Sequence, residues 1–167
     1  MPTSQKDLDA FRFMVHLLVE MKSPSLIDNG SPAHARIILE EMAAAAEKSI
    51  YVFCGCIDKD TWGSSEMARS IEKAIDSNVD VRFLVQHPTE IPNDSPTVLA
   101  LRKKKGSILD ASPFAPLEKH FAVFDRRMFR FEKDDAAKTA IASANKPDMA
   151  EPLGDLVLDM MKTLQPA

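Results

Sequence analysis

Nothing in these 167 residues approaches the ~20 consecutive apolar residues that a membrane-spanning helix needs, so no spanning segment is expected. The stretch from Met1 to Asp7 lacks the basic start and apolar run of a secretion signal. Cysteine is scarce: Cys54 and Cys56 are the only two, set in a Cys-Gly-Cys. Residues that close rarely form a structural disulfide. The expected compartment is therefore a reducing cytoplasm. Charge of one sign is also missing. The formal net charge of −4 exerts no global pull toward nucleic acid or an anionic membrane, which leaves only a local basic patch to consider. Internal repeats and low-complexity segments are absent. What is present is a 45% hydrophobic composition, enough at this length to bury one good core.

Apolar spacing organises the chain. Leu8, Phe11, Val15 and Leu18 recur at helical intervals over residues 5–22, and Phe13, Met14 and Leu17 widen that face. Ser23-Pro24 ends this helix, and Asp28-Asn29-Gly30 reads as a turn. Ser31-Pro32 then supplies a serine N-cap and a proline at the first helical position. The second helix runs through Ile37, Ile38 and Met42 to Ala46. The repeating pattern begins only here. Residues 1–30 are read as an N-terminal helical appendage and residues 31–167 as an α/β domain.

Within that domain, 49–54 reads as a strand, 58–65 as a polar loop, 65–77 as a helix and 79–85 as a strand. Alternating helix and strand argues for parallel strands joined by crossovers. A loop over 88–93 precedes a helix from Ser95-Pro96 to about Lys105, which Gly106 stops. Ile108-Leu109 forms a short strand, 119–132 a hairpin and 139–143 another strand. The last helix spans about 149–164, with Leu153, Leu156, Val157, Met160, Met161 and Leu164 on its apolar side.

Charged and imidazole groups cluster around the hairpin. Glu118, Lys119 and His120 precede an apolar strand that ends at Asp125, and Arg130 and Glu132 alternate with Phe129 and Phe131 on the next strand. Ser143 and Asn145 follow. This stretch, with strands beginning at Glu47 to Val52 and at Ser77 to Val85, resembles the motif region of the phospholipase D superfamily over roughly residues 33–164. The resemblance implies a mixed β-sheet flanked by helices on both faces. It also implies a His-x-Lys-x4-Asp signature. Aligned on Asp125, that signature meets Glu118 at the histidine and His120 at the lysine. Aligned on His120, it meets Ala122 at the lysine and Arg127 at the aspartate. The glycine and serine expected after the second strand are replaced by Glu132 and Lys133.

In that family one histidine attacks phosphorus, a second protonates the leaving oxygen, and lysines stabilise the pentacovalent transition state. Two motifs are required, from two halves of a chain or from two subunits. This chain has at most one. The resemblance therefore implies a degenerate site: a non-catalytic regulatory or binding module that keeps an anion- or phosphate-binding remnant at Glu118, His120, Asp125, Arg130, Ser143 and Asn145. A homodimer is expected, because small one-motif members pair two subunits to build the cleft. Two rivals stay open. One is a phosphodiesterase or nuclease acting through His120 across a dimer. The other is a structural subunit that docks a protein partner through its N-terminal helix or the Trp62 loop.

Each feature also has a plainer reading. His120 on an apolar strand is a buried histidine bonded to a neighbour, and Arg130 with Glu132 is a strand-face ion pair of little worth. Arg102, Lys103, Lys104 and Lys105 form the only basic run. They are either helix-end charges complementing the macrodipole or a nucleic-acid backbone patch, without aromatic residues nearby for stacking. Cys54, Cys56 and His87 would meet near one sheet edge, yet no fourth ligand is evident for a metal. Small core cysteines are the default. Neither metal nor cofactor is expected. Trp62 is either a partner anchor or a lid on the core.

Overall fold

The computed structural model describes residues 3–134 and 139–167. These form six α-helices and eight strands: α1 (Gln5–Glu20), β1 (Ile27–Asn29), α2 (Pro32–Ala45), β2 (Ser49–Cys54), α3 (Lys59–Trp62), α4 (Ser65–Asp76), β3 (Asp80–Val85), α5 (Pro96–Arg102), β4 (Ile108–Asp110), β5 (Phe121–Phe124), β6 (Met128–Asp134), β7 (Thr139–Ser143), α6 (Pro147–Met161) and β8 (Gln165–Pro166). The strands make one mixed sheet in the order β1-β7-β6-β5-β2-β3-β4-β8. β2, β3 and β4 run parallel. β5, β6, β7 and β1 continue the sheet antiparallel from the other side of β2.

Every residue of β2 is buried, which is why its sequence is nearly all apolar. Its alternate residues serve two cores. Ile50, Val52 and Cys54 face the layer that contains Val15, Ile38, Met67 and Val98 of α1, α2, α4 and α5. Tyr51 and Phe53 face Ala150, Val157 and Met160 of α6. The sheet is thus covered by helices on both faces. No helix among the described residues is long and apolar enough to cross a membrane.

The segment ahead of Ser31 contributes to this architecture. Val15 and Val19 are buried in the larger core. Glu40, itself buried on α2, accepts from Arg12 of α1 at 2.6 Å and from Ser64 at 2.7 Å. Asp28-Asn29-Gly30, expected as a turn, instead contributes its first two residues to the edge strand β1. Ile27, Asp28 and Asn29 pair with Ala142, Ile141 and Ala140. The buried Asn29 amide donates to Ala140 O at 3.2 Å, so a turn-favouring residue is held in the sheet by its side chain.

Three other expectations change. The loop over 58–65 contains the single-turn helix α3, capped by Asp58 accepting from Thr61 N at 2.8 Å. Its Trp62 is buried and meets Phe83 edge-on at 4.9 Å, and its carbonyl accepts from Thr97 Oγ1. The lid reading describes it, and the ring offers no exposed anchor. Helix α5 ends at Arg102, earlier than expected, because Lys103 N and Lys104 N bond Ala100 O and Leu101 O in tighter turns before Gly106 takes φ +86°.

The third change concerns α6. The helix ends at Met161 rather than near residue 164; its Val157 and Met160 are buried, as is Leu164 beyond it, whereas Leu156 is 43% exposed. Truncating Met160 to alanine is expected to destabilise the protein by about 2–5 kcal/mol. Leu156→Ala should stay within about 0.5 kcal/mol. Urea denaturation of the two variants checks both, and equal midpoint shifts would contradict the assignment of the buried face.

Candidate functional site

The parallel strands β2 and β3 end beside the start of the antiparallel strand β5. Phe53 lies opposite Leu84 on one side and Phe121 on the other. The residue after β3, Gln86, and the residue before β5, His120, therefore come to the same sheet edge. A cleft of about 940 Å³ opens there, at the carboxyl ends of the parallel strands where open α/β sheets gather ligands. Its lining includes Ser31 and Pro32 at the start of α2, Gly55, Asp58, Asp60, Gln86, His87, Glu118, Lys119, His120, Arg130, Glu132 and Lys133.

At the centre is His120, its side chain 21% exposed. Nε2 lies 2.9 Å from Gln86 Oε1. The Gln86 amide is oriented by its other end, since its Nε2 donates to Phe114 O at 2.8 Å and to Leu117 O at 2.6 Å. Only the amide nitrogen can face those carbonyls, so Oε1 must accept from His120, and the imidazole Nε2 carries the proton. Nδ1 lies 3.5 Å from Glu132 Oε2. Gly55 backs the ring closely: a β-carbon there would stand 3.4 Å from His120 Cε1 and 3.7 Å from His87 Cδ2.

Beside His120, Arg130 is buried on the same strand face as Glu132. Its Nη1 donates to Glu132 Oε1 at 3.3 Å and its Nε to Asn29 Oδ1 at 3.1 Å. Burial pulls the guanidinium below its usual pKa, and the charge of Glu132 opposes that shift. The other cations of the rim are also engaged. Lys133 pairs with Asp28 at 2.9 Å, and Lys119 Nζ donates to the carbonyl of Lys133. Lys119, Arg130 and Lys133 face four carboxylates, Asp58, Asp60, Glu118 and Glu132, around the same cleft.

Of the residues picked out by sequence, Glu118, His120 and Arg130 are brought together here. Asp125, Ser143 and Asn145 are not. They lie toward the other end of the strands, where β5 and β7 end; Asp125 is about 16 Å from His120 by strand rise, and Ser143 is level with Val123. Ser143 is buried and accepts from Asn145 N at 3.3 Å. Asp125 accepts backbone bonds from Glu47 N at 3.0 Å, Lys48 N at 2.7 Å and Ser49 N at 3.1 Å. The basic run lies elsewhere again. Lys103 pairs with Glu72 across α4 and α5, while Arg102, Lys104 and Lys105 are exposed.

Cys54 and Cys56 flank Gly55 on the cleft wall, near His87. Cys54 is buried, which pushes its thiol well above its usual pKa, and Cys56 Sγ donates to Glu90 O at 3.1 Å. No group of three or more His, Cys, Asp or Glu among the described residues is arranged to hold a metal ion.

Sequence reasoning missed Gln86, Lys119, Lys133, Asp58 and Asp60 as cleft residues. Gln86 had a legible signal, since it directly follows an apolar strand at its carboxyl end. Its role as a clamp depends on the 3₁₀ turn Ser112–Phe114, which no periodicity announces.

The geometry has counterparts among solved structures. Nuc from Salmonella typhimurium, a phospholipase D family member, superposes with a TM-score of 0.58 at 16% identity, over 87% of this chain and 99% of that one. TrmBL2, described as an archaeal chromatin protein with a novel mode of DNA binding, gives a TM-score of 0.59 at 13% identity. That match spans 98% of this chain and 63% of TrmBL2. The chain has the phospholipase D-like fold. No protein-family model matches the sequence, and no curated protein matches it either. At these identities the phospholipase D-like likeness is one of fold, and function has to be argued from the cleft itself.

Asp125 generates a prediction about stability. Asp125→Ala leaves three backbone donors without their acceptor and should cost about 1–3 kcal/mol. The measurement is the thermal or urea midpoint. The His120 imidazole signals should stay in place in an NMR spectrum, since the two sites sit at opposite ends of β5.

Proposed function

We propose that this chain is a non-catalytic phospholipase D-like module whose cleft binds rather than cleaves. The observation that carries the reading is the Gln86 clamp on His120. A histidine that attacks phosphorus needs a lone pair on the attacking nitrogen. Here Nε2 holds its proton and donates it to an amide oxygen whose orientation the carbonyls of Phe114 and Leu117 enforce. Freeing Nε2 would break the bond to Gln86 that links His120 to the loop carrying Phe114 and Leu117.

The charges support the same reading. Phosphoryl transfer is driven by cations aimed at the developing negative charge. In this cleft Arg130 spends its charge on Glu132 and Lys133 spends its own on Asp28. A degenerate motif fits this arrangement. With Asp125 in the aspartate position, Glu118 replaces the nucleophile and His120 replaces a phosphate-binding lysine. The nitrogen donors that line the cleft are His120, Lys119 and the paired Arg130 and Lys133, near the start of α2, where a helix N-terminus favours negative charge. Ligand affinity for phosphate groups is expected to be weak, because four carboxylates share the cleft.

DNA binding is described for one neighbour of the same fold, TrmBL2. For this chain Lys104 and Lys105 offer exposed positive charge outside the cleft, so a weak, salt-dependent contact with a nucleic-acid backbone is the form such binding would take.

Incubation with a chromogenic phosphodiester, alone and with plasmid DNA, should give no turnover above a buffer blank. Titration with inorganic phosphate and with short duplex DNA, followed by NMR, should shift the cleft amides around Lys119, His120 and Lys133 for phosphate. Hydrolysis that disappears in a folded His120→Ala variant would overturn the non-catalytic reading in favour of the dimeric phosphodiesterase.

A further inference from the structure

Helix α1 is apolar on two opposite faces. One face packs onto α2 through Val15 and Val19, with Leu8, Phe11 and Leu18 partly buried beside them. The other is turned away from the domain. Phe13 is 65% exposed and Met21, the C-cap, 73% exposed, and Met14 and Leu17 stand with them. Ala10, Phe13, Met14, Leu17 and Met21 recur at helical spacing and form a continuous stripe about 16 Å long. An apolar row of that kind on a surface helix costs solubility unless something covers it.

The charges on the rim of the stripe identify what covers it. The ion pairs of α1 join Arg12 to Glu40 and Glu41, and His16 to Glu41, all on the side toward α2. Lys6 and Glu20 are exposed and have no ion pair among the described residues. They sit about four helical turns apart, hence on the same flank of the stripe, and symmetrically about Phe13. When a second copy of α1 is laid antiparallel across the stripe, with Phe13 on the two-fold axis, Lys6 of each copy meets Glu20 of the other. The same flank of both helices faces the same way in such a pair, so both ion pairs form together. A partner of unrelated sequence has no reason to place opposite charges symmetrically about Phe13.

We infer that α1 is a self-association surface, and that two copies of this chain pair antiparallel about Phe13, with Leu17 of each copy packing beside Ala10 and Phe13 of the other and with reciprocal Lys6–Glu20 ion pairs. No residue of α1 lines the cleft. The pairing therefore differs from the shared-cleft dimer that the family resemblance implies, and it stands whether or not the cleft is catalytic. One helix pair falls short of the about 1,200–2,000 Å² that stable interfaces bury. The dimer is therefore expected at micromolar concentration and above, in exchange with monomer.

Sedimentation velocity over a concentration series tests this. The expected mass rises from that of one 18.5 kDa chain toward twice that value. Phe13→Glu should stay monomeric throughout, with its circular dichroism unchanged because the side chain is exposed. Lys6→Glu and Glu20→Lys should each weaken dimerisation at least about fivefold, as two reciprocal rim pairs are lost. The double variant Lys6→Glu/Glu20→Lys should restore it. Three results would overturn the proposal: a monomer at every concentration, a dimer that persists in Phe13→Glu, or single reversals that the double variant does not rescue. The first two would assign the stripe to a different occupant and the last would reject the antiparallel register.

Discussion

The Asp125 carboxylate joins the two halves of the sheet. β2 has a parallel neighbour on one side and an antiparallel one on the other. The chain arriving from α2 brings three backbone donors, at Glu47, Lys48 and Ser49, to the point where β5 turns back. Asp125 takes all three. It does so from a left-handed backbone conformation, φ 55°, followed by Arg126 at φ 57°. Aspartate tolerates that region better than most side chains because its short polar group can bond locally. One residue thus closes the hairpin, caps the start of the central strand and sets the register between β2 and β5.

The cleft depends on that register. A shift of one residue along β5 would turn His120 to the other face of the sheet. As it stands, His120 and His87 both lie against Gly55, where a β-carbon would stand 3.4 Å from the imidazole. Gln86 then trades the mobility of a surface amide for three fixed partners and makes His120 a structural donor. Arg130 and Glu132 add a second constraint. A buried guanidinium is costly unless a carboxylate and further acceptors surround it, and Glu132 with Asn29 supplies them. The same carboxylate that makes Arg130 tolerable in the core cancels the charge that a phosphate would seek. In this cleft Arg130 and Lys133 are both paired with carboxylates of the chain itself.

The order and type of most elements were legible in the sequence because each depends on local chemistry. Ser31-Pro32 starts α2 and Ser64 starts α4 through side chains that reach their own first turns. β2 and β3 read as buried strands from apolar runs alone. The elements that were missed or altered are those stabilised from a distance. β1 depends on pairing with β7, more than a hundred residues away. α3 holds Trp62 against Phe83 of β3. The exposure of Leu156 depends on which side of α6 the sheet occupies, and a wide apolar stripe does not specify that.

For the candidate site the division is sharper. The sequence by itself determined that His120, Arg130 and the carboxylates Glu118, Asp125 and Glu132 cluster around one hairpin, and that alternation puts Arg130 and Glu132 on one face. The resemblance read from it implied that the family's reacting groups are replaced. Only the tertiary structure decided which of these groups meet. It separated Asp125, Ser143 and Asn145 from the cleft, because residues at the two ends of a short strand share a sequence neighbourhood without sharing a location. It also brought in Gln86 and Asn29, from distant parts of the chain, to bond His120 and Arg130. Hydrogen bonds of this kind depend on atoms within about 3 Å of each other, and folding alone sets distances on that scale.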